Sequence, residues 1–112
     1  MNTSALAEAL LIGTRAGVDG ELLFETLSRG SADSFVLRKH GMQYMAKEDY
    51  PDDVFSVHYS LKDLSYALKL AEETGVNAET GKLVEHRFKE AIDSGYGTFY
   101  GPVVYKLLQD KN

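Results

Sequence analysis

The chain has 112 residues, with 12 basic and 17 acidic side chains, a formal charge of −5 and no cysteine. Those numbers fit one soluble globular domain that can bury a core without disulfide or metal staples, and they exclude cysteine chemistry. The acidic balance argues against a dedicated nucleic-acid or anionic-membrane surface, and no run approaches the roughly 18 apolar residues of a membrane span.

Residues 5–16 are spaced as a helix that is apolar on nearly all sides at first, as helices enclosed by other helices or by a second subunit are. The longest apolar run, residues 5–12, is interrupted by Glu8 and lacks a basic leader, so no signal peptide is expected and the cytoplasm is the expected location. Gly17 supplies a stop. Asp19 is a good N-cap, with Glu21 in the first turn of a short helix whose apolar face is Leu22, Leu23 and Leu27 and which ends at Gly30.

A third helix starts around residues 31–34 and carries Phe35, Val36 and Leu37, then Met42 and Met45. Gly41 inside it weakens it by roughly 1 kcal/mol relative to alanine. Residues 46–53 are polar and contain Pro51, which marks a loop. Residues 54–59 alternate like an extended strip without an evident partner, and are expected to lead into a helix. Ser60 and Asp63 approximate a capping box at the start of that fourth helix, where Leu61, Leu64, Ala67, Leu68 and Ala71 share a face. Gly75 closes it.

Asn77 is placed to cap a fifth helix with Leu83, Val84, Phe88, Ala91 and Ile92 on one face, stopped by Gly95. Pro102 suits the first position of a last helix in which Val103, Val104, Leu107 and Leu108 face inward. The expected class is therefore all-α: about six helices in one domain spanning residues 1–112, without internal repeats.

Few residues are arranged for chemistry. His40, His58 and His86 each stand without a second histidine at helical spacing, so no metal site is expected. No Gly-x-Ser-x-Gly elbow occurs. The string Gly95-Tyr96-Gly97-Thr98-Phe99-Tyr100-Gly101 follows a helix rather than a strand and lacks the Gly-x-Gly-x-x-Gly spacing, which favours a turn over a phosphate loop. Glu48, Asp49, Asp52 and Asp53 are most simply a solvated loop. Lys62, in the expected first helical turn, faces the positive end of the helix dipole. Either Asp63 or a bound anion could compensate it, and an exposed lysine beside a capping aspartate is the plainer alternative.

Three stretches in order then resemble the C-terminal helical domain of the β-hydroxyacid dehydrogenases, the family of 3-hydroxyisobutyrate dehydrogenase and tartronate semialdehyde reductase. Ala7-Glu8-Ala9-Leu10 running into Arg15-Ala16-Gly17-Val18-Asp19 is similar to its "AEAL…xAGhD" stretch, h being apolar. Phe55 leading to Lys62-Asp63-Leu64 and Ala67 is similar to its "FxxxxxxKDLxxA" pattern. Gly75 after Ala71 and the closing Gly95-Tyr96-Gly97 resemble its "GxGxxD" end, with Tyr100 where the family usually has an aspartate.

The resemblance implies a helical bundle like the C-terminal domain of 6-phosphogluconate dehydrogenase-like proteins. It also implies a substrate-binding and oligomerisation domain of an NAD(P)-dependent 3-hydroxyacid dehydrogenase. The family's N-terminal Rossmann domain and its catalytic lysine, in a "GxxGxGxxxK" motif, would lie upstream of Met1. No catalytic residue is then expected in this chain, which alone should be inactive and bind neither NAD nor NADP. By the same resemblance Lys62 reaches the cofactor and substrate cleft, Phe55 lines its nicotinamide side, and Asp63 orients the strip. Without a Rossmann neighbour, the first helix would expose Leu6, Leu10 and Leu11 unless a second copy covers them, so a homodimer is expected. The alternative is a stand-alone helical interaction or dimerisation module without catalytic activity.

Overall fold

The computed structural model describes all 112 residues, Met1–Asn112. Its elements are helical throughout, so the all-α class holds. They comprise α1 (Asn2–Arg15), α2 (Gly20–Leu27), a π-helical segment (Leu37–Met45), α3 (Val57–Glu73), α4 (Glu79–Asp93), a 3-10 turn (Gly101–Val103) and α5 (Val104–Lys111). Contacts gather into two compact units, residues 51–101 and residues 2–50 with 102–112. No helix is long and apolar enough to cross a membrane.

In the unit formed by residues 2–50 and 102–112, α1 packs on α5, on the π-helical segment and on α2. The core is built from Ala7 and Leu10 of α1, Phe24 of α2, Leu37 and Met45, and Val104, Leu107 and Leu108 of α5. The apolar start of α1 is not enclosed on all sides, but the residues expected to be left bare are not: Leu10 is buried with Ala7, Leu6 and Leu11 are half-buried, and it is Ile12 that is 71% exposed. Asp19 caps α2 as its sequence position indicates, its carboxylate accepting the Leu22 N–H at 3.0 Å. That helix stops at Leu27 rather than Gly30.

The third helix departs further from expectation. It is wound as a π-helix, with Ala46 N–H donating to the Gly41 carbonyl at 2.9 Å, five residues back. It begins at Leu37 rather than around residues 31–34, and Phe35 ahead of it is 71% exposed. Gly41 is buried against the Phe24 ring, whose nearest carbon would lie 3.1 Å from a Cβ placed there. The absence of a side chain at Gly41 lets the ring close against the backbone.

His40 lies on this segment, half-buried, with its Nδ1 2.8 Å from the Thr3 hydroxyl. Burial first, and the neighbouring Lys39 charge second, hold its pKa below the ordinary 6.5. A folded-state pKa below the unfolded one makes this contribution full above about pH 6.5 and lost as pH falls through and below that value. Thermal melts are expected to show a lower Tm at pH 5 than at pH 7.5, with the difference reduced in His40→Gln. An unchanged difference in that variant would remove His40 as the cause.

In the unit formed by residues 51–101, α3 and α4 make a helical hairpin. Leu61, Leu64, Leu68 and Ala71 are half-buried along α3, and Val84, Phe88 and Ala91 are buried along α4. Ala67, expected on the inner face, is exposed, and so is Leu83, at 58%. Gly75 (φ 78°) and Gly95 (φ 91°) end the two helices in the left-handed region that a residue without Cβ enters at little cost. Asn77 does not cap α4: the N-cap position is Ala78, without a side-chain bond. Instead the Asn77 side chain accepts from Lys82 Nζ at 2.8 Å and donates to Glu79 Oε1 at 3.3 Å.

Candidate functional site

The three residues singled out from sequence, Phe55, Lys62 and Asp63, all fall in the unit of residues 51–101, at the start of α3. What positions them is a backbone clasp. Residues 52–56 pair with the turn after α4 through two antiparallel bridges, Asp52 with Phe99 and Ser56 with Tyr100. Asp53 N–H donates to the Thr98 carbonyl at 2.9 Å, and Tyr100 N–H donates to the Pro51 carbonyl at 2.8 Å. Residues 54–59 are therefore not one extended strip: 54–55 bend, Ser56 alone bridges to Tyr100, more than forty positions away, and residues 57–59 already belong to α3.

The same clasp moves the helix start. Residue Ser56, not Ser60, is the N-cap of α3, its hydroxyl accepting the Tyr59 N–H at 3.4 Å. Val57 N–H donates to the Phe99 carbonyl at 2.9 Å and His58 N–H to the Gly97 carbonyl at 3.1 Å. Ser60 N–H then makes the first intrahelical bond, to Ser56. Every orphan donor of the first turn is thus satisfied within the chain. A Cβ at Gly97 would collide with the His58 ring, which explains a glycine where the turn meets the helix.

Two consequences follow for Lys62. It sits in the second turn, not the first, so its charge is not set against the helix end. An anion approaching it would be held by the ammonium itself, because the N-terminal N–H groups are already occupied. The Lys62 and Asp63 side chains are exposed, and neither forms a hydrogen bond or ion pair. No contact between them exists.

Phe55 is 75% exposed at the end of the clasped strip and has φ of 37°, a left-handed conformation rare for a bulky residue. Such a residue costs on the order of 1–3 kcal/mol and persists where its surroundings over-determine it, as the bridges on either side do here. Phe55→Gly is expected to raise stability by about 1 kcal/mol in urea unfolding, since little burial is lost and the strain is relieved. A destabilised variant would show that the ring contributes packing its exposure does not reveal.

Beside Phe55, Tyr59 completes a shallow, largely apolar recess. Tyr59, Lys62, Asp63, Tyr66 and Leu70 recur at three- and four-residue spacing, which places them on one side of α3. Tyr59 and Tyr66 are each 62% exposed and Leu70 is 61% exposed. Sequence reasoning took the inner face of α3 and missed this outer one, although the same spacing would have found it. The result is an uncovered aromatic face that carries the unpaired cation Lys62 near the Phe55 recess. A flat ring can rest on Phe55 and Tyr59, and an anionic group can pair with Lys62.

Sequence and structure comparisons relate the chain to known proteins. Residues 1–99 match the family described as NAD-binding of NADP-dependent 3-hydroxyisobutyrate dehydrogenase. The 2-hydroxy-3-oxopropionate reductase of Escherichia coli is 28% identical over 95 residues, which are 85% of this chain and 32% of the reductase. A 3-hydroxyisobutyrate dehydrogenase structure from Salmonella typhimurium superposes with a TM-score of 0.86 at 23% identity, over 94% of this chain and 36% of that one. A Mycobacterium tuberculosis 3-hydroxyisobutyrate dehydrogenase, solved with L-serine, gives 0.82 at 22% identity, over 96% and 38%. The chain thus spans about a third of the length of the relatives it matches.

Proposed function

Because the chain belongs to the NAD-binding family of NADP-dependent 3-hydroxyisobutyrate dehydrogenase, we propose that it is the helical substrate-binding and oligomerisation domain of an NAD(P)-dependent 3-hydroxyacid dehydrogenase. The observation that carries this reading is the uncovered face of α3, where Lys62 stands unpaired among Tyr59, Tyr66 and Leu70 beside Phe55. A face of that kind is suited to closing over a cofactor held by another domain. When bound, the nicotinamide cofactor supplies the hydride acceptor or donor.

The residues present fit that group. Phe55 and Tyr59 offer a flat apolar surface to a ring, and Lys62 offers a positive charge to an anionic part of cofactor or substrate. Asp63, one position on and likewise exposed, keeps the local charge balanced where the cofactor is met. The chemistry is completed elsewhere. These 112 residues contain neither a Gly-x-Gly-x-x-Gly loop nor a Gly-x-x-Gly-x-Gly-x-x-x-Lys motif. In this reading they have no turnover and no cofactor binding of their own, and the substrate is a short hydroxyacid. The domain works in the cytoplasm as a homodimer, with the exposed Ile12 side of α1 contributing to the contact between copies.

The test is a chimera in which residues 1–112 replace the aligned third of the E. coli 2-hydroxy-3-oxopropionate reductase. Nicotinamide-dependent turnover of short hydroxyacids or aldehyde acids by the chimera, with none from the 112 residues alone, is the expected result. A folded chimera without turnover would favour an interaction module, and turnover by the isolated chain would overturn the proposed division of labour. Sedimentation of the isolated chain as a monomer at high concentration would remove the dimer.

A further inference from the structure

A second site lies away from the α3 face, in the unit of residues 2–50 and 102–112. Between α2 and the π-helical segment is a cavity of about 480 Å³, within the range of small-molecule sites. One wall is acidic, with Glu21 and Glu25 of α2. The opposite wall is basic, with Arg38 on the π-helical segment and Lys47 just beyond it. Met42 and Gln43 of the π-helical segment and Ser28 complete the lining.

The two walls do not neutralise each other. Glu25 pairs with Arg29 on its own helix, and Arg38 pairs with Asp33 at 3.5 Å on its own side. Glu21 and Lys47 make no ion pair or side-chain hydrogen bond. Opposite charges that face one another across a cavity without closing it leave room for a molecule carrying both charges. The winding of one wall bears on the same point. A π-helix is rare, occurs mostly as single turns, and is frequent at functional sites; here it runs for nine residues, of which Arg38, Met42 and Gln43 line the cavity.

We infer that the cavity between α2 and the π-helical segment binds a small zwitterion of the amino-acid or dipeptide class. Its ammonium faces Glu21 and Glu25, its carboxylate faces Lys47 and Arg38, and its apolar part rests on Met42. The site does not depend on the dehydrogenase reading, since it uses none of the residues of the α3 face.

The test is an amide-detected NMR titration of the whole 112-residue chain with glycyl-leucine at millimolar concentration. Saturable shifts confined to residues around Glu21, Met42 and Lys47 are expected, and they should vanish when the peptide is acetylated at one end and amidated at the other. Glu21→Gln and Lys47→Gln, both at exposed positions, should each weaken binding about tenfold while leaving the rest of the spectrum in place. Equal shifts from the blocked peptide, no shifts from the free one, or unaltered affinity in both variants would overturn the inference.

Discussion

Replacing Lys62 with alanine in the reductase chimera is expected to lower kcat/KM by about a hundredfold, the scale on which removing one preorganised charge or donor at a reacting centre is felt. The ammonium has no partner in the chain, so nothing inside the protein loses a bond when it goes. It is also exposed, so folding should be unaffected. The loss therefore reports on what the lysine meets outside this chain. Lys69→Ala is the control. That lysine is exposed on the same helix and equally unpaired, but it lies beside the cavity at the hairpin end rather than at the Phe55 recess. Lys62→Arg should recover part of the activity by restoring the charge with different geometry. If Lys62→Ala and Lys69→Ala behave alike, Lys62 is a surface lysine and the cofactor-facing reading of α3 fails.

The second large effect is on stability. Phe24→Ala is expected to destabilise the protein by about 4 kcal/mol, the middle of the range for emptying a buried aromatic position. Phe24 is fully buried in the core of residues 2–50 and 102–112, and its ring closes against Gly41. Because Gly41 has no side chain to swing into the space, relaxation around the missing ring is limited. On a domain of this size that corresponds to a fall in Tm of roughly 15 °C or more. Denaturant unfolding followed by circular dichroism reads it directly. A change under about 1 kcal/mol would mean that the π-helical segment collapses onto the vacancy.

That pairing of Phe24 with Gly41 bears on what local patterns can show. At the sequence level Gly41 is a weak point inside a helix. In the folded chain it is the contact surface of the largest fully buried side chain. The same contrast runs through the candidate site. The spacing from Phe55 to Lys62 was visible in the sequence, as was the family it resembles. The left-handed backbone of Phe55 was not, because it is imposed by bridges to residues 99–100. Nor was the shift of the helix cap from Ser60 to Ser56, since both are serines followed by helix-compatible residues. Carbonyls of a distant turn selected between them.

The sequence by itself determined the class and a few helix ends. Asp19, Gly75 and Gly95 act through backbone conformation and hydrogen bonds within a few residues, so their effect is written where they stand; Pro102, expected to open the last helix, lies instead in the 3-10 turn two residues ahead of it. Tertiary structure alone decided the π winding of residues 37–45, the outward turn of Phe35 and Leu83, and the clasp that presents Phe55. Each of those depends on groups far apart in the chain meeting at one place, and the free energy of such a meeting has no local signature.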